Sequence, residues 1–196
     1  MRVGVLGGTF DPVHLGHLIL AEQAREGLRL DSVLFIPAGE PWRKSHRAIT
    51  PGEHRLEMLT LAVQDNPDFA ISDIELRREG PTYTAVTMAD LAGERLDDEF
   101  WLIAGSDALA EMPSWHEPER LVEHAKLGVA QRADDDIDAA LAAFPAFAEH
   151  AERFEMLRID LSSTDVRSRV AAGRSIRYVV PAAVEAYIAE HRLYRQ

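Results

Sequence analysis

The chain reads as an α/β protein: a doubly wound parallel sheet with a small C-terminal helical part. Short apolar runs alternate with longer amphipathic stretches, several stretches open on helix-start signals, and a glycine-rich turn joins the first run to the first stretch. In order, strands are predicted over 2–6, 33–37, 69–72, 100–104, 126–130 and 156–159. Helices are predicted between them over 15–29, 51–64, 82–95, 117–124, 136–151 and 164–172, with a last one over 181–191. Thr50-Pro51-Gly52-Glu53 has the form of a capping box with proline at the first helical position, and Val180-Pro181 opens the final helix in the same way. The stretch 133–152, rich in alanine and acid, is expected to be a solvated helix with Asp134, Asp135 and Asp136 at its N-terminal end. With no internal repeat and no proline-rich linker, residues 1–196 are expected to form one domain: an α/β core over 1–160 and a C-terminal part over 161–196.

Composition narrows the function. The 196 residues include 33 acidic and 21 basic side chains, a formal net charge of -12. Such a chain lacks the basic face that DNA or an anionic membrane surface selects. Zero cysteines exclude disulfides, thiolate metal sites and a cysteine nucleophile. No apolar run approaches the ~20 residues of a membrane helix, and the sequence opens directly into Val3-Gly4-Val5-Leu6 with no leader pattern. The expectation is a cytoplasmic protein with neither nucleic acid nor membrane as partner.

The informative segment is Gly7-Gly8-Thr9-Phe10-Asp11-Pro12-Val13-His14-Leu15-Gly16-His17, between the first strand and first helix. In an open α/β sheet, ligands bind outside the carboxyl ends of the strands. Adjacent glycines admit a phosphate close to the backbone, Thr9 adds a hydroxyl, and the helix start adds free N–H groups. His14 and His17 share one face of the first turn and can donate to phosphate oxygens, more strongly as charge builds on them. A dinucleotide fingerprint would need glycine at Leu6, and a P-loop would need a lysine that this turn lacks. Zinc on the two histidines would want a third ligand, and none is evident in the sequence.

This segment resembles the nucleotidyltransferases with the H-x-G-H motif. A second element, Leu161-Ser162-Ser163-Thr164-Asp165-Val166-Arg167, is similar to their Ile-Ser-Ser-Thr-x-x-Arg motif. Read physically, it is a hydroxyl-rich helix start with an arginine one turn in, able to grip the far end of a triphosphate. Within that group, nearly the whole chain resembles bacterial nicotinate mononucleotide adenylyltransferases. Gly80-Pro81-Thr82-Tyr83-Thr84 and Gly105-Ser106-Asp107-Ala108-Leu109 with Trp115 look like two further elements of that family. These two elements argue against phosphopantetheine adenylyltransferase, the runner-up in the superfamily; a preference for nicotinamide mononucleotide is the nearer rival.

The resemblance implies a Rossmann-like nucleotidyltransferase fold and transfer of the ATP adenylyl group to nicotinate mononucleotide. It implies His14, His17, Lys44 and Arg167 as catalytic residues on the triphosphate. Gly7, Gly8, Thr9, Phe10, Asp107, Ser163 and Thr164 would bind ATP, with Asp107 at the adenylate sugar. Tyr83, Thr84, Ala85, Trp115 and His116 would bind nicotinate mononucleotide, Trp115 stacking on the ring and backbone N–H groups holding the carboxylate. Mg2+ would arrive with ATP, with no protein metal site, and a homo-oligomer is compatible with the sequence. A basic run of Arg43, Lys44, His46, Arg47, His54 and Arg55 would steer both anions, and Arg167, Arg169, Arg174 and Arg177 form a second basic stretch. The chain departs from the family after the fifth strand, where Gln131-Arg132 runs into Ala133 and three aspartates instead of Arg-Pro-Gly.

Overall fold

A computed structural model describes residues 1–41, 49–131, 136–142 and 144–195. Its main sheet holds six strands, all parallel, in the spatial order β4-β2-β1-β6-β7-β8. They are β1 (Arg2–Gly8), β2 (Ser32–Pro37), β4 (Phe69–Ile71), β6 (Glu99–Ala104), β7 (Lys126–Gln131) and β8 (Ala151–Glu155). A separate two-stranded parallel ladder joins β3 (Glu40–Pro41) to β5 (Pro81–Thr82). The helices are α1 (Leu15–Gly27), α2 (Gly52–Val63), α3 (Thr84–Glu94), α4 (Ser106–Glu111), α5 (Ile137–Ala142), α6 (Pro145–Ala148), α7 (Ser163–Ala171) and α8 (Ala182–Glu190).

Side-chain alternation explains the layers. Along β2, Val33 and Phe35 face one way, with Met58 and Leu59 of α2, Ala21 and Ala24 of α1 and Val184 of α8. Leu34 and Ile36 face the other way, with Met88 of α3, Leu109 of α4 and Phe147 of α6. Both faces of the sheet are therefore apolar and both are covered, as a parallel sheet requires. α7 and α8 belong to the first of these layers through Val166, Val184 and Ile188.

The strand order creates one switch point. From β1 the chain winds outward through β2 to β4, then returns to β6 on the other side of β1 and winds away through β7 and β8. Connections leave the carboxyl ends of β1 and β6 in opposite directions, opening a crevice between them. Among the described residues no helix is long and apolar enough to cross a membrane.

Several boundaries differ from the sequence-based expectation. The helix expected over 136–151 is two short ones, because Pro145 cannot lie inside a helix and instead opens α6. Ile137, Leu141, Phe144 and Phe147 are buried, so this stretch carries an apolar face rather than lying solvated. The last strand lies at Ala151–Glu155 rather than 156–159. It is an edge strand in which only Phe154 is fully buried, so its polar pattern resembles a helix surface. The predicted 117–124 helix is 3-10 over Pro118–Glu123. Pro51 and Pro181 stand at the N-caps of α2 and α8, one place earlier than expected, and the Thr50 capping box does not form.

Candidate active site

The turn after β1 sits in the crevice. Phe10 takes a left-handed backbone conformation, φ 48°, which sends its ring into the core beside Phe35, centroids 5.9 Å apart. His14 caps α1 in an extended conformation, and its backbone N–H donates to Nδ1 of His17 at 3.2 Å. A neutral His17 accepting at Nδ1 carries its proton on Nε2. The two imidazoles stack with centroids 3.7 Å apart. Gly16 makes this possible: a Cβ there would stand 3.0 Å from Nδ1 of His14.

Burial pulls the His14 pKa down to about 4, outweighing the upward pull of Asp165. His14 is therefore neutral at pH 7 and can meet a phosphate as a hydrogen-bond donor without carrying charge.

α7 brings the second motif against the first. Ser162 is its N-cap, accepting from the Asp165 N–H at 3.1 Å. Ser163 donates its hydroxyl proton to the Pro12 carbonyl at 2.9 Å. Arg167 donates from Nη1 to the Asp11 carbonyl at 2.6 Å and from Nη2 to Oγ1 of Thr164 at 2.9 Å. Thr9, His14, His17, Ser163, Thr164 and Arg167 thereby line one cavity of ≈ 350 Å³. The leading N–H groups of α7 belong to Ser163 and Thr164, so this end of the cavity has positive character.

A second cavity of ≈ 260 Å³ opens on the other side of the turn. Gly7, Gly8, Thr9, Tyr83, Thr84, Trp115 and His116 line it, so Thr9 belongs to both cavities. Tyr83 and His116 lie ring over ring, centroids 4.1 Å apart. Trp115 is half-buried, packed at the edge of the core. Tyr83 caps α3 without a side-chain hydrogen bond, so the first N–H groups of that helix form a donor end beside the cavity. Two carboxylates, Glu75 and Glu111, also line it. Glu75 accepts from the hydroxyl of the buried Thr87 at 2.8 Å.

Not every expected residue reaches a cavity. Phe10 supports the turn from beneath, and Ala85 is buried at the start of α3. Asp107 is exposed in the first turn of α4, where Gly105 is the N-cap, and it lines neither cavity. Lys44 and the rest of 42–48, like Arg132, lie outside the described residues. The expected steering run divides: Nδ1 of His54 is bonded to the Tyr187 hydroxyl at 2.8 Å between α2 and α8, and Arg55 is buried. Of the second basic stretch only Arg167 lines the first cavity.

Sequence reasoning missed Asp11 and Arg55 as buried charged residues and Tyr194 as their neighbour. A signal for Arg55 existed. It falls on the same helical stripe as Met58, Leu59 and Val63, spacing that marks the inward face of α2.

The model of the cytidylyltransferase-like family matches residues 5–169. The chain is 49% identical over 196 residues to a probable nicotinate-nucleotide adenylyltransferase of Thermomicrobium roseum, covering 99% of this chain and 92% of that one. It is 50% identical over 195 residues to a protein of the same description from Roseiflexus sp., covering 98% of each. Among solved structures, it superposes on the Plasmodium falciparum nicotinic acid mononucleotide adenylyltransferase complexed with NaAD. The TM-score is 0.82 at 18% identity, over 98% of this chain and 97% of that one; at that identity the likeness concerns the fold.

Proposed function

This chain belongs to the nicotinate-nucleotide adenylyltransferase family, and from that membership we propose that it transfers the adenylyl group of ATP to nicotinate mononucleotide. The products are nicotinate adenine dinucleotide and pyrophosphate, a step of NAD biosynthesis. The observation that carries this reading is the junction at Thr9, where a cavity rich in phosphate donors meets one walled by aromatic rings. Two anions held on either side of one turn have their reacting atoms brought together there.

In the proposed chemistry, an oxygen of the nicotinate mononucleotide 5′-phosphate attacks the α-phosphorus of ATP in line. The bond from that phosphorus to the bridging oxygen breaks and pyrophosphate leaves, with no covalent enzyme intermediate. The attacking phosphate is already ionised, so the chain's task is to position and stabilise charge rather than to remove a proton. His14 donates as a neutral imidazole, His17 from Nε2, and Arg167 as a fixed cation, with Lys44 assigned alongside them. The N–H groups of Ser163 and Thr164 hold the far phosphates. Gly7 and Gly8 admit the nucleotide to the backbone, and Asp107 is assigned to the adenylate sugar.

On the other side, Trp115 offers a face to the pyridine ring, with Tyr83 and His116 beside it. The donor end of α3, at Thr84 and Ala85, takes the carboxylate, which would disfavour an amide in its place. Mg2+ bound to ATP would neutralise phosphate charge. Nearby Asp11 and Asp165 are engaged by Tyr194 and Ser162, so phosphate oxygens and water would supply its ligands. We assign the whole reaction to one cytoplasmic domain spanning 1–196.

Pyrophosphate release tests this. The chain would be given ATP and magnesium with nicotinate mononucleotide, nicotinamide mononucleotide or phosphopantetheine in parallel. Release with the nicotinate substrate is the expected result. Release with phosphopantetheine alone would overturn the substrate, and binding of ATP without release from any mixture would make the chain a nucleotide sensor.

A further inference from the structure

Beneath the phosphate turn lies a layer of buried side chains: Asp11 borders the first cavity, and Arg55 and Tyr194 behind it border neither. Arg55 is 2% exposed and donates to three carbonyls: Thr9 at 2.9 Å, Thr50 at 2.8 Å and Gly39 at 3.4 Å. Those carbonyls belong to the phosphate turn, the entry to α2 and the segment after β2. Asp11, also 2% exposed, accepts at Oδ1 from the Tyr194 hydroxyl at 2.8 Å. Tyr194 itself has a left-handed backbone, φ 61°, in the chain beyond α8.

The turn is thus held at consecutive points by different elements. α2 grips Thr9, the segment after α8 grips the Asp11 side chain, and α7 grips the Asp11 and Pro12 carbonyls through Arg167 and Ser163. Each tether fixes a backbone position within a few residues of His14. The Asp11 carboxylate accepts from the Tyr194 hydroxyl and lies in the field of Arg55, so displacing either group leaves a buried polar atom unsatisfied. Burial lowers the Arg55 pKa, and Asp11 is first among the neighbours that oppose that shift. Burial likewise holds the Tyr194 phenol in its protonated, donating form.

We propose that Tyr194, acting through Asp11 together with Arg55, is a positioning residue that sets the phosphate turn for the triphosphate and has no part in binding the second substrate. This rests on the adenylyl-transfer reading for its kinetic consequence, but its binding consequence can be read without any turnover. The structure places the clamp below the Asp11 side of the turn, beside the cavity of His14, His17 and Arg167. Tyr194 borders neither cavity, whereas Arg55 also reaches the carbonyls of Thr9 and Gly39, beside the second.

The test is Tyr194→Phe, which removes one oxygen and keeps the ring. Affinity for ATP and for nicotinate mononucleotide would be measured separately by calorimetric titration, well below the variant's melting temperature, alongside kcat. The expected result is a loss of about tenfold in ATP affinity, the size of one buried hydrogen bond, with nicotinate mononucleotide binding within about twofold of the parent. A fall in kcat would accompany it. Unchanged ATP binding and kcat in the folded variant would overturn the proposal. So would equal loss for both ligands, which would signify general loosening. Arg55→Lys, with one donor group in place of the fork, is expected to lower ATP affinity further, and unchanged ATP binding in the folded variant would overturn the part of Arg55; if it does not fold, Tyr194→Phe decides alone. Should the parent bind both ligands but release no pyrophosphate, the transfer reading fails while the ATP measurement still judges the clamp.

Discussion

His14 and His17 stack at 3.7 Å, yet the His14 ring is buried deeply enough that its pKa falls to about 4 while the backbone fixes the tautomer of its partner. The pair is therefore asymmetric. A consequence follows for stability in the absence of nucleotide. The unfolded chain takes up a proton on His14 near pH 6.5 and the folded chain only near 4, so stability is full above 6.5 and lost as pH falls between those values. The loss amounts to about 3 kcal/mol. Denaturant unfolding of His14→Gln and of the parent at pH 7 and pH 4 checks this: the gap between them should shrink toward pH 4, and a constant gap would refute it.

His17 lines the first cavity and is oriented by a hydrogen bond from the His14 backbone together with ring contacts to His14 and Phe10. His17→Ala is expected to lower turnover by about 10²–10³-fold, the usual cost of removing a preorganised donor to developing charge, with circular dichroism unchanged. A folded variant turning over at the parent rate would remove His17 from the mechanism.

Trp115 is half-buried at the rim of the second cavity. Trp115→Ala should weaken nicotinate mononucleotide by roughly 10- to 100-fold, as expected for a lost stacking platform worth about 1–3 kcal/mol. ATP binding should change little. Equal losses for the two substrates would sink the stacking role.

Gly39 passes so close to the segment before β5 that a Cβ would sit 2.3 Å from the Glu75 carbonyl oxygen and 2.8 Å from Cγ2 of Thr82. The first contact is with backbone, which cannot rotate away. Gly39→Ala should cost about 1–3 kcal/mol in thermal or chemical unfolding. Because Glu75 and Thr82 line the second cavity, nicotinate mononucleotide binding should fall as well. A variant as stable as the parent would show that the segment yields.

The sheet was legible because buried parallel strands write themselves as short apolar runs, as in Val33 to Ile36. β8 escaped for the opposite reason: at an edge, Glu152, Arg153 and Glu155 face solvent and only Phe154 marks the core. The cradle was legible because Gly16 and the two histidines must be adjacent to do their work. The clamp was not, since Asp11, Arg55 and Tyr194 are distant in sequence and an arginine on a helix ordinarily signifies a wet face. Asp107 shows the limit from the other side. It stands at the second position of α4 with its side chain exposed and outside both cavities, so its assignment to the sugar rests on the family resemblance alone.

The order in which the chain is made gives the hydrogen bonds around the phosphate turn a temporal meaning. Residues 9–12 leave the ribosome well before Ser163, Arg167 and Tyr194, which are separated from their partners by 151, 156 and 183 positions. At a translation rate of about 5–20 residues per second, the turn waits roughly ten seconds or more for the groups that shape it. A nascent chain halted before α7 can pair its strands yet has no Arg167 to hold the Asp11 carbonyl. The contacts that shape the turn thus form only after residues 163–194 have been made and have folded back onto it.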